Sequence, residues 1–229
     1  MIAKAGHYEP VAREGYPFIV PPAFLALITW WFGYPSVSLV FLVLAVAVIF
    51  FFRNPERIPP DGEGTVVSPA DGTVVAVMEN VRSDNLPDLT LKRISIFMSI
   101  FNTHVNRCPV TGVVKNVKHV PGKFLDAREP DSSLLNEHNS VILQGKDGPI
   151  EVVQIAGKIA RRIACWVRIG DEVRQGERFG LIRFGSRLDV YIPESMTFIV
   201  KVGMTVQAGL TIIATRSPLG SPHYDAPKS

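Results

Sequence analysis

The chain has 229 residues, of which 24 are Lys or Arg and 21 are Asp or Glu, for a formal net charge of +3. No charge and no histidine falls between Gly15 and Phe52, and outside that window about a quarter of the residues are charged, the share of an ordinary soluble domain. These figures exclude a disordered chain, a collagen-like chain, a long coiled coil and a polytopic membrane protein, and they leave one domain of roughly 160 residues, large enough to bury a core. A small positive balance without an RNP-like, zinc-finger or helix-turn-helix pattern gives no argument for a nucleic-acid partner.

After an N-terminal tail (1–15) comes a hydrophobic segment over 16–52. Phe18–Trp31 reads FIVPPAFLALITWW and Val37–Phe52 reads VSLVFLVLAVAVIFFF, with Gly33-Tyr34-Pro35 between them. As helices the two runs are about 21–24 Å long, short of the ~30 Å hydrocarbon core. The stretch is too long and too bipartite for a removable signal peptide, and no small-x-small site follows it. The segment reads as a helical hairpin, either spanning tightly or wedged into one leaflet. Lys4 and Arg13 before it and Arg53 and Arg57 after it put both flanks on the cytoplasmic face of the cell membrane. The competing reading, a hairpin buried in a soluble core, must hide this whole uncharged stretch inside a small domain.

Pro-rich sequence from Arg53 to Gly62 marks the boundary of a domain over 53–216. Short β-branched runs follow, punctuated by Gly and Pro: Gly72–Met78, Arg93–Phe101, Gly112–Val120, Ser140–Leu143, Ile150–Ile155 and Leu181–Phe184. No long amphipathic helix interrupts them. The expectation is a mainly β (α+β) fold, a β-sandwich or barrel-sandwich-like domain with internal repeats, preceded by the hydrophobic helical hairpin. The Pro- and Ser-rich tail, 217–229, reads as loose. Cys108 and Cys165 lie far apart, outside any C-x-x-C or metal spacing, and read as reduced thiols; no metal site is expected.

Two repeats stand out. Pro69-Ala70-Asp71-Gly72-Thr73-Val74 matches Pro109-Val110-Thr111-Gly112-Val113-Val114, and the V-x-x-G-x-x-V-x-x-G pattern of Val167–Gly176 returns in Val200–Gly209. Glycine turns with inward valines make each copy one layer of a small sandwich. The second pair resembles biotinyl and lipoyl carrier domains. Those carriers present a Lys between the halves, whereas this chain has Phe184-Gly185-Ser186-Arg187 and no Lys between Lys158 and Lys201.

Gly185-Ser186 sits between two apolar runs inside this symmetric pair. A Gly before a nucleophilic Ser leaves the carbonyl uncrowded and tolerates a strained backbone. The hydroxyl needs a base, and the base needs an orienting group. His104 follows the most apolar run and belongs at a strand end. Asp71 is a turn carboxylate, and His138 is a loop residue beside Glu137. His7 and His223 are terminal, and His119 reads as strand surface.

Together these residues resemble the phosphatidylserine decarboxylases, in particular their short prokaryotic form. The resemblance is carried, in one order, by Phe51–Pro55 (FFRNP), Ser68–Gly72 (SPADG), His104–Pro109 (HVNRCP), Asn136–Asn139 (NEHN, where the family tends to read Asn-Glu-Arg) and Phe184–Arg187 (FGSR). It implies decarboxylation of phosphatidylserine to phosphatidylethanolamine by a pyruvoyl enzyme. The covalent pyruvate would derive from Ser186 after self-cleavage at Gly185–Ser186, giving an associated large chain (1–185) and small chain (186–229). The pyruvoyl carbonyl would take the substrate amine as a Schiff base and act as an electron sink.

The resemblance makes Asp71 the charge-relay acid of self-cleavage and His104 a decarboxylation residue. Longer members carry His-x-x-His where this chain has His104-x-x-Arg107, so the self-cleavage base is either His104, serving twice, or His138. Arg107 would orient Asp71 or hold an anion. Lys158, Arg161, Arg162 and Arg168 offer a basic run to anionic headgroups. A homo-oligomer is left open. Two further readings stand beside this one: a non-enzymatic membrane-anchored barrel-sandwich adaptor, and a pyruvoyl decarboxylase of a soluble amino acid.

Overall fold

A computed structural model describes residues 8–123, 135–157, 162–183 and 186–216. The apolar segment forms two helices, α1 (Tyr16–Trp31) and α2 (Pro35–Phe51), each with a proline in its first turn, where a missing N–H costs no hydrogen bond. Gly33, at φ +79°, turns the chain between them. Ser38, the single polar side chain of its run, donates across the hairpin to the Ala26 carbonyl at 2.7 Å. Ala26 and Ala45 are buried. Most of the remaining apolar surface, including Leu27, Trp31 and Val40, is exposed. At 16 and 17 residues the helices measure about 24–26 Å; no helix among the described residues is long and apolar enough to cross a membrane.

The rest is β structure. The strands are β1 (Thr65–Val67), β2 (Gly72–Ser83), β3 (Leu86–Met98), β4 (Val105–Arg107), β5 (Gly112–Val120), β6 (His138–Gly145), β7 (Gly148–Ala156), β8 (Ile163–Cys165), β9 (Glu172–Val173), β10 (Arg178–Ile182), β11 (Ser186–Pro193), β12 (Met196–Phe198), β13 (Thr205–Val206) and β14 (Ile212–Arg216). They form an antiparallel eight-stranded sheet, β13-β2-β3-β11-β7-β6-β5-β9, curled into a half-barrel, and two three-stranded sheets, β4-β10-β8 and β1-β14-β12. The mainly β expectation holds.

β11 lies at the centre of the large sheet. Leu188, Val190 and Ile192 join Ile94, Ile96 and Met98 of β3 and Val152 of β7 in the main core. Alternate residues face the other way and are buried too, so their charges are paired: Arg187 donates to both oxygens of Asp189 at 2.7 Å. The tip of the β2–β3 hairpin bends over this second face, where Ser83, Asn85 and Ser140 all donate to the buried Glu151.

The repeats are structural. Gly170 and Gly203 both have φ +91° and donate to equivalent carbonyls, Val114 and Val74. Gly72 and Gly112 let neighbouring strands close in: a Cβ would lie 2.2 Å from the Phe97 oxygen in one copy and 2.3 Å from the Gln144 oxygen in the other. Two strand ends differ from the sequence expectation. The Arg93–Phe101 run leaves the sheet after Met98, because Asn102 accepts the Ser99 N–H and hydroxyl and closes a turn. The Leu181–Phe184 run belongs to β10, which ends at Ile182; Phe184 lies outside the described residues.

Candidate active site

Three connections between the large sheet and the β4-β10-β8 sheet leave from one place. Ser186, the first residue of β11, pairs with Met98, the last of β3, and with Ala156, the last of β7. From there residues 99–104 lead to β4, 157–162 to β8, and 183–185 connect β10 to β11. On the small sheet Val105 faces Leu181 and Ile163 faces Ile182, so all three cross at the same end. Topology therefore puts Ser186 and His104 on connections at this one end, where the Ile182 N–H reaches the His104 carbonyl at 3.4 Å. Gly185 lies outside the described residues.

Both side chains are fully buried, and both carry an atom with no hydrogen-bond partner among the described residues, Ser186 Oγ and His104 Nε2. Buried polar atoms are normally paired, so two orphans at one crossover, among the described residues, single this place out as the candidate site. His104 Nδ1 lies 3.0 Å from the Asn102 carbonyl, which only accepts, so the proton sits on Nδ1 and Nε2 presents its lone pair. The imidazole pKa is lowered to about 4, by burial first and by Arg53 as well, against the raising effects of the Asn102 carbonyl and Asp71. His104 is thus neutral and an acceptor at physiological pH.

Asp71 occupies the turn before β2. In the other copy of the repeat the same place holds Thr111, whose hydroxyl accepts the Gln175 N–H at 3.0 Å, as Asp71 accepts the Ala208 N–H at 2.7 Å. The carboxylate adds a bidentate pair with Arg57, at 2.5 and 2.8 Å, and a hydrogen bond from Thr103, next to His104. Burial alone would raise the Asp71 pKa, but the Arg57, Ala208 and Thr103 donors hold it below the usual carboxylate value. Asp71 reaches the site through Thr103 and through its field on His104, whose Nδ1 is engaged by Asn102.

Other sequence candidates sit elsewhere. Arg107 donates to the carbonyls of Gly176 and Pro55, at 2.8 and 2.6 Å; it braces the backbone, and Arg57 is the residue that orients Asp71. His138 pairs with Ile155, which pairs with Arg187, so it lies on the opposite face of the sheet from Ser186. Asn136 of the same motif donates to the Ala156 carbonyl at 2.9 Å and fixes the strand end beside Ser186. His119 is exposed and 3.7 Å from Glu137. His7, His223, Lys158 and Arg161 lie outside the described residues, and Arg168 is exposed.

Sequence reasoning missed a buried amide string. Asn139 donates to Gln154 at 3.0 Å and Gln154 to Asn106 at 2.8 Å, ending beside Met98, the strand partner of Ser186. It also missed how the hairpin docks. Phe51 and Phe52, with Ala12, pack on Val105 and Leu181 of the small sheet, and the Phe51 ring lies against the His104 imidazole. Arg53 donates to the Phe101 carbonyl at 2.7 Å. The only advance signal was the apolar run continuing into FFRNP.

Residues 44–214 match the family profile described as phosphatidylserine decarboxylase. The chain is 47% identical over 205 residues to a phosphatidylserine decarboxylase proenzyme of Geotalea uraniireducens (strain Rf4), a match that covers 89% of this chain and 95% of that relative.

Proposed function

We propose that this chain, which belongs to the phosphatidylserine decarboxylase family, makes its own prosthetic group by breaking the Gly185–Ser186 bond and acts on phosphatidylserine at the headgroup plane of a membrane. Membership in a family of enzymes sets aside the non-enzymatic adaptor. The observation that carries the reading is the pair of buried atoms without a partner among the described residues, Ser186 Oγ and His104 Nε2, at the end where three connections leave the large sheet.

Ser186 Oγ attacks the Gly185 carbonyl, the peptide C–N bond breaks and an ester forms. Loss of the Ser186 Cα proton expels the ester oxygen. Gly185 leaves as a carboxylate terminus, and residue 186 becomes dehydroalanine. Tautomerisation and addition of water release ammonia and leave a pyruvoyl cap. His104 Nε2 is the proton acceptor for the hydroxyl, and Asp71, held by Arg57, supplies the negative field that supports the imidazolium as it forms. The pyruvoyl ketone supplies a carbonyl that takes the substrate amine and draws the electron pair left by departing CO2. A fully buried serine whose hydroxyl has no hydrogen-bond partner among the described residues fits this conversion.

The two chains stay together after cleavage. The small chain contributes β11 between β3 and β7, and β12 and β14 to the sheet that holds β1. The membrane role is supported by the exposed apolar surface of the hairpin and by Ile100 and Phe101 on the 99–104 crossover. Both surround the site, which suits a diacyl substrate that remains in its bilayer.

Intact mass on a denaturing gel tests the proposal. Wild-type protein should give two chains, the smaller blocked at its N-terminus, and Ser186→Ala a single chain of 25.2 kDa. Hydride reduction with phosphatidylserine present should fix the headgroup to the small chain. A wild-type protein that stays one unmodified chain overturns the reading.

A further inference from the structure

Arg183 is the last described residue before Gly185–Ser186. Strand alternation turns it away from Ile182, which faces the main core, and toward the side where Leu181 packs against the hairpin. Its guanidinium lies over the Phe18 ring, 5.3 Å from the centroid. Phe18 stacks on Phe52 at 5.9 Å, Phe52 meets Phe51 edge-on at 5.0 Å, and Phe51 covers His104 at 4.1 Å. A row of rings thus joins the catalytic imidazole to this cation at the foot of the hairpin.

Among the described residues Arg183 has no salt-bridge partner, though Glu14 acts on it from a distance. Nor has its buried Nε a hydrogen-bond partner among them. The acid nearest in effect, Glu14, spends one oxygen on the Trp166 indole N–H at 2.8 Å. A second cation stands beside it: the Arg183 N–H donates to the Arg162 carbonyl at 3.3 Å, and Arg162 is exposed. Two like charges whose fields reach each other, one of them with an unspent donor, make a place that draws an anion.

We infer that Arg183, with Arg162 beside it, seats the phosphodiester of the lipid substrate. The inference rests on the function proposed above. In a serine phosphodiester, two carbons and one oxygen separate the amine from phosphorus. Three residues of chain from 183 to 186 span at most about 10 Å. An amine held at position 186 therefore leaves its phosphate within reach of Arg183, with the glycerol directed toward Phe18 and the hairpin.

The test uses self-cleaved wild type, Arg183→Gln and Arg183→Lys on phosphatidylserine in mixed micelles, with inorganic phosphate as competitor at constant ionic strength. Loss of charge-assisted hydrogen bonds should raise KM for Arg183→Gln about 10- to 100-fold with kcat within about twofold, and weaken inhibition by phosphate. Arg183→Lys should recover part of the KM. Unchanged KM in Arg183→Gln, beside a wild type that decarboxylates the lipid, overturns this inference alone. Lost phosphate inhibition with unchanged lipid KM assigns the site to free phosphate and also overturns it. Failure of Arg183→Gln to split assigns Arg183 to processing, with the same consequence. A wild type inactive on phosphatidylserine instead removes the function beneath it.

Discussion

The imidazole of His104 lies against the ring of Phe51, with 4.1 Å between centroids and 34° between planes. The last residue of α2 is thus a wall of the site, and the hairpin that offers apolar surface also keeps water from the candidate base. With Arg53 and Asp71 as the charged groups acting on it, burial is the main reason the imidazole pKa falls to about 4. Phe51→Leu should admit water and return the pKa toward 6.5. Neutral imidazole is the acceptor form in self-cleavage, so the acid limb of the self-cleavage rate should move up from about pH 4. At pH 5 the variant should lose most of the self-cleavage rate that wild type keeps, read as survival of the full-length band. An unmoved limb would mean that the ring does not govern the imidazole.

The same burial makes stability depend on pH. The His104 pKa is lowered in the fold, so between about 4 and 6.5 the unfolded chain binds the extra proton. Stability is then highest above 6.5 and falls as pH drops toward 4, by about 3 kcal/mol from this group. Asp71 acts in a lower window: its pKa is depressed, so its contribution is present above 3.8 and lost below. Urea midpoints at pH 7 and pH 4.5 should differ less for His104→Gln than for wild type. Equal pH dependence in the two proteins would contradict the burial argument.

Arg57 holds Asp71 through two hydrogen bonds, and removing it leaves a buried carboxylate with the Ala208 and Thr103 donors alone. Breaking a buried pair from one side costs about 3–5 kcal/mol, so Arg57→Ala should lower the melting temperature. Asp71→Asn keeps the Ala208 contact through the amide oxygen and removes the charge. It should slow self-cleavage, by less than the triad's ~10⁴-fold because the Asn102 carbonyl and not Asp71 holds the His104 tautomer, followed as disappearance of the full-length band. Normal splitting in Asp71→Asn would remove the carboxylate from the relay.

Much of this was legible because the signals are local. Gly185-Ser186, His104 and Asp71 sit in short motifs, and the repeats at Val167 and Val200 announce paired glycine turns. What stayed hidden depends on contacts distant in sequence. Arg57 lies in a Pro-rich stretch without periodicity, and its partner Asp71 is 14 residues on. The sequence offered Arg107 instead, whose donors the backbone at Gly176 and Pro55 consumes. His138 looked available until strand register put it on the far face from Ser186. The end of β3 was missed because Asn102 turns an apolar run out of the sheet, which hydrophobicity alone does not signal.

That turn exposes Ile100 and Phe101 on the connection that leads to His104. Phe101 is 72% exposed, while its carbonyl is fixed by Arg53 at the base of the hairpin. A large exposed aromatic whose backbone is tied to the base of the apolar hairpin suits insertion beside it, so the crossover that delivers His104 would also meet the lipid. Replacing Ile100 and Phe101 with Ser removes apolar area without touching the core, so folding and self-cleavage should proceed as in wild type. Binding to phosphatidylserine vesicles should weaken by about 1.5–3 kcal/mol per side chain that inserts fully, seen in sedimentation. KM in surface-dilution kinetics should rise with it. Full vesicle affinity in the double variant would leave the hairpin as the sole lipid contact and make the exposed lip incidental.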